Sequence, residues 1–142
     1  MNLIDQLRRD EGVRYTPYPD SRGFMTIGVG HKILPTDNFS TVVPLSDGQV
    51  DMLLGQDIDD KQQQLAQFPW FLPLNDARQG AITNMAFNLG VQGLLHFPSM
   101  IHYLTISDWM NASAQALESV WAAQVGDRAK RIAQQILTGE WV

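Results

Sequence analysis

Residues 11–31 read EGVRYTPYPDSRGFMTIGVGH, and this run is the part of the chain that sets its fold class. Its Tyr, Thr, Pro and Gly content favours strands and tight turns over helix. It reads as a hairpin, with one strand over 15–18, a turn over 20–23 and a second strand over 24–29. No other segment carries a strong strand signal. Immediately before it, Leu3, Ile4 and Leu7 have helical spacing, Asn2 can cap them and Gly12 can stop them. Glu11 therefore falls at the C-terminal end of a short first helix.

Working outward, the rest of the chain is helical in pattern. Ser46 opens a helix expected to run to 67, and Pro69 and Pro73 break it. Asn75 caps a helix whose apolar stripe is Ala77, Ala81, Ile82, Met85, Ala86 and Leu89, ending at Gly90. Shorter helices are expected over 99–104 and 108–120. A last one spans 127–137, with Ala129, Ile132, Ala133, Ile136 and Leu137 on one face and Gly139 behind them. Residues 32–43, with Pro35, Asn38 and Ser40, read as loop. The expected class is α+β: a single domain over 1–142, with a small N-terminal β-hairpin lobe at about 12–45 and a larger, mainly helical lobe at about 46–142 that includes the first helix.

Composition narrows the function. With 142 residues, 44% of them apolar and 18% charged, the chain can bury a core. It has no cysteine, so thiolate chemistry is excluded. A formal net charge of -5 argues against a nucleic-acid partner. No run approaches the roughly 20 apolar residues of a membrane span, so no membrane insertion is expected. The first ten residues become charged at once and lack the apolar stretch of a signal peptide. Synthesis in a cytoplasm is therefore expected, with any outside target reached by other means, such as a pore or a delivery machine.

Glutamate occurs only at 11, 118 and 140. Glu118 lies on a polar helix face and Glu140 at a frayed end. Glu11 is distinct, because the partial negative charge of a helix C-terminus favours a protonated carboxyl. Asp20, in a wet turn, is expected to stay ionised. A proton-holding carboxyl beside an ionised one is the pairing that glycosidic hydrolysis uses. Taken singly, each is better explained as turn chemistry or solvated surface.

The spacing of the whole run changes that reading. Glu11, eight residues, Asp20, five residues, then Thr26-Ile27-Gly28-Val29-Gly30-His31 closely resembles the signature of the lysozymes of T-even bacteriophages, glycoside hydrolase family 24. The resemblance implies a lysozyme-like fold and cleavage of the β-1,4 bond between N-acetylmuramic acid and N-acetylglucosamine in bacterial peptidoglycan, with no cofactor. It implies Glu11 as general acid, with Asp20 and Thr26 holding the attacking water. It also implies a structural ion pair of His31 with Asp57 on the long helix, and Arg128 as the arginine serving Glu11. Residues 84–90 resemble the family's cleft-lining helix, so Phe87 and Asn88, with Gly30, are candidate substrate contacts. The family often has Gln where this chain has Asn88. The chain is also shorter than typical members between His31 and Ser46, and it is acidic where well-known relatives are basic. A monomer is expected. The rival functions are a lytic transglycosylase, which leaves anhydro ends, and a non-catalytic peptidoglycan-binding module.

Blander readings dispose of other candidates. Gly28-x-Gly30 lacks the third glycine of a nucleotide loop, since position 33 is Ile33. Asp57, Asp59 and Asp60 have neither the glycine nor the closing glutamate of a calcium loop. His96 and His102 share no helix face, so no metal site is expected.

Overall fold

The computed structural model describes residues 1–39 and 43–142. Among them the order is α1 (Leu3–Glu11), β1 (Arg14–Pro19), β2 (Met25–Gly28), β3 (His31–Lys32), α2 (Asp47–Leu65), α3 (Asp76–Leu94), α4 (Pro98–Thr105), α5 (Trp109–Leu117), α6 (Val120–Val125) and α7 (Asp127–Thr138). This small sheet with mainly helical remainder is the α+β class expected. The chain divides into two compact units, Ile4–Asp60 and Met1–Leu3 with Lys61–Val142, so the division falls inside α2.

In the Ile4–Asp60 unit, α1 stops where Gly12 takes a φ of +76° and its N–H returns to the Arg8 carbonyl at 3.1 Å. Left-handed backbone of this kind strains any residue with a Cβ, which is why the stop is a glycine. The sheet is antiparallel in the order β1-β2-β3. Tyr18 pairs with Thr26 and Pro19 with Met25, and the ladder is irregular between Arg14 and Tyr18. The expected hairpin is present, but β3 adds a strand where loop was expected from Lys32 onward. Its His31 pairs with Ile27 and its Lys32 with Thr26. Two residues held by a neighbouring strand carry no periodic signal of their own. Of the loop expected over 32–43, residues 40–42 lie outside the described residues. Leu7, Ile27, Val50 and Leu54 are buried. α2 opens with a reciprocal cap: the Gln49 N–H donates to Ser46 Oγ at 3.1 Å, and the Ser46 N–H donates to Gln49 Oε1 at 2.8 Å.

The other unit is built around a core that includes Phe71, Ile82, Met85, Leu94, Trp121 and Ile136. The side chain of Asn75 caps α3 by accepting from the Arg78 N–H at 2.9 Å. At Gly90 (φ 75°, ψ 159°) the helical path breaks, so the expected stop is real and a further turn follows it to Leu94. The helix expected over 108–120 is instead two. α5 ends at Leu117, and Ser119 caps α6 by accepting from the Ala122 N–H at 3.0 Å. α7 ends at Gly139, which is left-handed. Its last carbonyls are met from α3: Arg78 donates to Ile136 O at 2.8 Å and Leu137 O at 3.2 Å, and Asn75 Nδ2 donates to Gly139 O at 3.0 Å. Trp141 packs on Gly80, where a Cβ would collide with the indole ring.

Candidate active site

Six of the residues singled out from sequence belong to the Ile4–Asp60 unit: Glu11, Asp20, Thr26, Gly30, His31 and Asp57. Glu11 is the last residue of α1 and is half-buried. Gly30, in the turn between β2 and β3, has a φ of +67° and faces it. A Cβ built there would stand 3.7 Å from Glu11 Oε2 and 3.9 Å from its carboxyl carbon. The left-handed turn is what calls for glycine here, and it brings the backbone alongside the carboxyl, where a side chain would make ordinary contact.

Asp20 sits in the β1–β2 turn. Its Oδ1 accepts from the N–H groups of Arg22 and Phe24, each at 2.9 Å, while its own N–H reaches the Phe24 carbonyl at 2.8 Å. Two backbone donors on one oxygen fix the carboxylate's orientation. Thr26 is buried in β2, and its hydroxyl donates to the Phe24 carbonyl at 2.9 Å. Phe24 therefore connects the two side chains through its backbone.

Behind the β2–β3 turn, His31 Nδ1 lies 2.7 Å from Asp57 Oδ2 on α2. A second carboxylate, which no motif in the chain announces, stands on the other side of the ring: His31 Nε2 lies 2.9 Å from Asp37 Oδ2. The bond to Asp57 chiefly, and then that to Asp37, raise the imidazole to a pKa of about 9 against the opposing cost of burial. His31 in turn holds Asp37 below the usual carboxylate range, helped by the Leu34 N–H. Further along the same unit, Arg8 bridges Asp47 and Asp51 at 2.7 Å each, and Tyr15 donates to Asp47 at 2.7 Å.

Phe87, Asn88 and Arg128 belong to the other unit. Arg128 is buried, and its Nε and Nη2 donate to Asn84 Oδ1 at 3.0 and 2.8 Å. Asn84 was legible only as the first residue of the run 84–90, not as the partner of this arginine. Asn88 is exposed and accepts from the Trp121 indole N–H at 2.6 Å; Phe87 is half-buried. A groove of about 510 Å³ adjoins this pair, lined by Leu89, Phe97, Gln115, Glu118 and Trp121 among others. Among the described residues no cluster of His, Cys, Asp or Glu could hold a metal ion, and no helix is long and apolar enough to cross a membrane.

A short helix ending in a glutamate, a three-stranded sheet with an aspartate in its first turn, and a mainly helical segment after them define a lysozyme-like α+β protein. Comparison with known proteins gives the family. The phage lysozyme family matches residues 8–135, and the chain belongs to it. It is similar to the pre-baseplate central spike protein Gp5 of Enterobacteria phage T4, at 32% identity over 98% of this chain and 28% of that protein. It is similar to the probable T4-type lysozyme 1 of Dictyostelium discoideum, at 24% identity over 97% of this chain and 95% of that one. The endolysin of Salmonella phage P22 is 31% identical over 63% of this chain and 61% of its own length. The chain thus spans just over a quarter of the spike protein and less than two thirds of the endolysin.

Proposed function

We propose that this chain is a muramidase, hydrolysing the β-1,4 bond between N-acetylmuramic acid and N-acetylglucosamine in bacterial peptidoglycan. The observation that carries the reading is the seating of the Glu11 carboxyl against the bare α-carbon of Gly30, on the sheet that also bears Asp20 and Thr26. In this mechanism Glu11 protonates the leaving oxygen. Asp20 and Thr26 both act toward a water as acceptors. The Thr26 hydroxyl proton is committed to the Phe24 carbonyl, and the Asp20 carboxylate has none to give. Two acceptors take the water's two hydrogens and turn its lone pair toward the anomeric carbon. With the water on the face opposite Glu11, the product is inverted, which calls for a carboxyl separation of about 6.5–9.5 Å.

His31 and Asp57 support the turn that carries Gly30, and the buried Arg128–Asn84 pair supports the helix that carries Phe87 and Asn88, the residues offered to substrate. The 142 residues act together as one lysozyme-like domain, as a monomer and without cofactor. Made in a cytoplasm, the protein reaches the wall through a pore or on a delivery machine. A relative named as an endolysin and one named as a central spike protein support a route of each kind.

Mass spectrometry of digested peptidoglycan tests the reaction. Reducing N-acetylmuramic acid ends are expected, anhydro ends would indicate a lytic transglycosylase, and intact strands with tight binding a non-catalytic module. Glu11→Gln keeps the shape, removes the proton donor and is expected to lower lysis about 10²–10⁴-fold.

A further inference from the structure

The second carboxylate on His31 is outside the family pattern read from the sequence, and its geometry has a chemical consequence. A carboxylate only accepts, and each ring nitrogen faces one, Nδ1 at Asp57 and Nε2 at Asp37. Both nitrogens must therefore carry a proton. A neutral imidazole has a single N–H and can keep only one of the two bonds.

The two carboxylates come from different parts of the unit. Asp57 stands on α2, a helix fixed along its length by its own hydrogen bonds. Asp37 stands in the loop after β3, and the loop folds around it. Asp37 Oδ2 accepts the Leu34 N–H at 2.8 Å, and the Asp37 N–H donates to the Leu34 carbonyl at 3.0 Å. The Phe39 ring meets the imidazole edge-on at 6.2 Å between centroids. Asp57 and Asp37 are the charged groups acting on the ring, whereas Lys32, the basic residue beside it on β3, sits over the Phe24 ring. His31 directly follows Gly30, whose α-carbon borders the Glu11 carboxyl.

We propose that Asp37 is a second positioning residue. It and Asp57 grip His31 from its two nitrogens as an imidazolium, so the loop after β3 is strapped to the turn carrying Gly30 only while the ring holds both protons. The consequence for catalysis rests on the muramidase reading, whereas the strap itself does not. Loss of one ring proton is expected to release the loop side, because Asp57 stays on α2, which keeps its own backbone hydrogen bonds. The Gly30 backbone beside Glu11 then loses one of the two anchors of the residue next to it.

Nuclear magnetic resonance on the full chain tests the strap without substrate. In the wild type both ring nitrogens stay protonated up to a midpoint of about 9, and the Leu34 amide exchanges faster above that midpoint. Asp37→Ala is expected to lower the midpoint by about one pH unit and to remove the Leu34 protection at every pH. Asp37→Asn keeps an acceptor without the charge and should fall between the two. An unchanged midpoint in Asp37→Ala, or Leu34 protection indifferent to pH, overturns the strap. The positioning role is read in lysis. At the pH optimum kcat should fall several-fold in Asp37→Ala, and less in Asp37→Asn, while KM for wall fragments stays put, and an unchanged kcat overturns that role. A wild type that lyses nothing sinks the muramidase reading, and the ring titration still decides the strap.

Discussion

The Ile4–Asp60 unit is tied together by charge. Arg8 spans Asp47 and Asp51, Tyr15 joins them at Asp47, and His31 spans Asp37 and Asp57. The Lys61–Val142 part of the other unit is tied by packed carbon, with neutral carbonyl acceptors satisfied inside it. Gln135 donates to the Ala77 carbonyl at 2.6 Å and Ser113 to the Ala133 carbonyl at 2.9 Å. The difference teaches that the part holding the candidate chemistry has a structure tunable by protons and salt, whereas the other is built around a large apolar core. Directional bonds suit a site whose carboxyls must be aimed, and dispersion and apolar burial suit a scaffold.

The comparison can be broken at its strongest point. Phe71, 1% exposed, is among the largest fully buried side chains. Phe71→Ala is expected to cost about 3–5 kcal/mol in urea unfolding, with no dependence on pH between about 6 and 9. A cost below about 1 kcal/mol would mean that packing does not carry the helical unit. Next in size is Gly80→Ala. Its methyl would strike the Trp141 ring, so the tryptophan must lift away, at about 1–3 kcal/mol and with a red shift in its emission. Unchanged emission would show that the indole does not rest on this glycine.

The charged unit is probed by pH. The His31 pKa is raised from 6.5 to about 9, so its contribution is fully present below pH 6.5 and is lost as the pH climbs through 9. After discount for the partial exposure of its partners, the loss is about 1–2 kcal/mol. A His31→Asn variant should be less stable below that window and flat across it. A wild-type curve already flat there would show that charge does not hold this unit. The smallest effect is expected at Arg8, whose partners Asp47 and Asp51 are 70% and 47% exposed along their side chains. Arg8→Met should shift Tm by about 2 °C or less, and added salt should shrink the shift further.

Much of this was legible in the residues themselves, because local chemistry dictated it. Gly12 after a helical triplet, Asp20 to Gly23 between two strand-forming runs, and Asn75 before an apolar stripe each specify a backbone state. The features missed have non-local causes. β3 exists because β2 lies beside it. Asp37 gains meaning only when a loop brings it to His31, and Asn84 only when α7 delivers Arg128. The split between α5 and α6 was within reach, since Ser119 is a good helix opener; the apolar content on both sides concealed it. In the candidate site, Glu11, Asp20 and Thr26 were singled out by the resemblance of the 11–31 run to the family signature, not by any of them alone. What spacing could not convey was the bare glycine against the carboxyl or the shared Phe24 carbonyl.

Asn75 has a consequence beyond its own helix. Its carbonyl end begins α3 and its amino end closes α7. Serine, threonine, aspartate and asparagine are ordinarily near-equivalents as helix openers. Here the first three fail at the closing end, because aspartate has no proton to give and the hydroxyls are too short to serve two chain segments sixty-odd residues apart. A position that looks permissive from its immediate neighbours is thereby narrowed: aspartate, serine or threonine could still open the one rod, but the Gly139 carbonyl at the finish of the other would lose its donor.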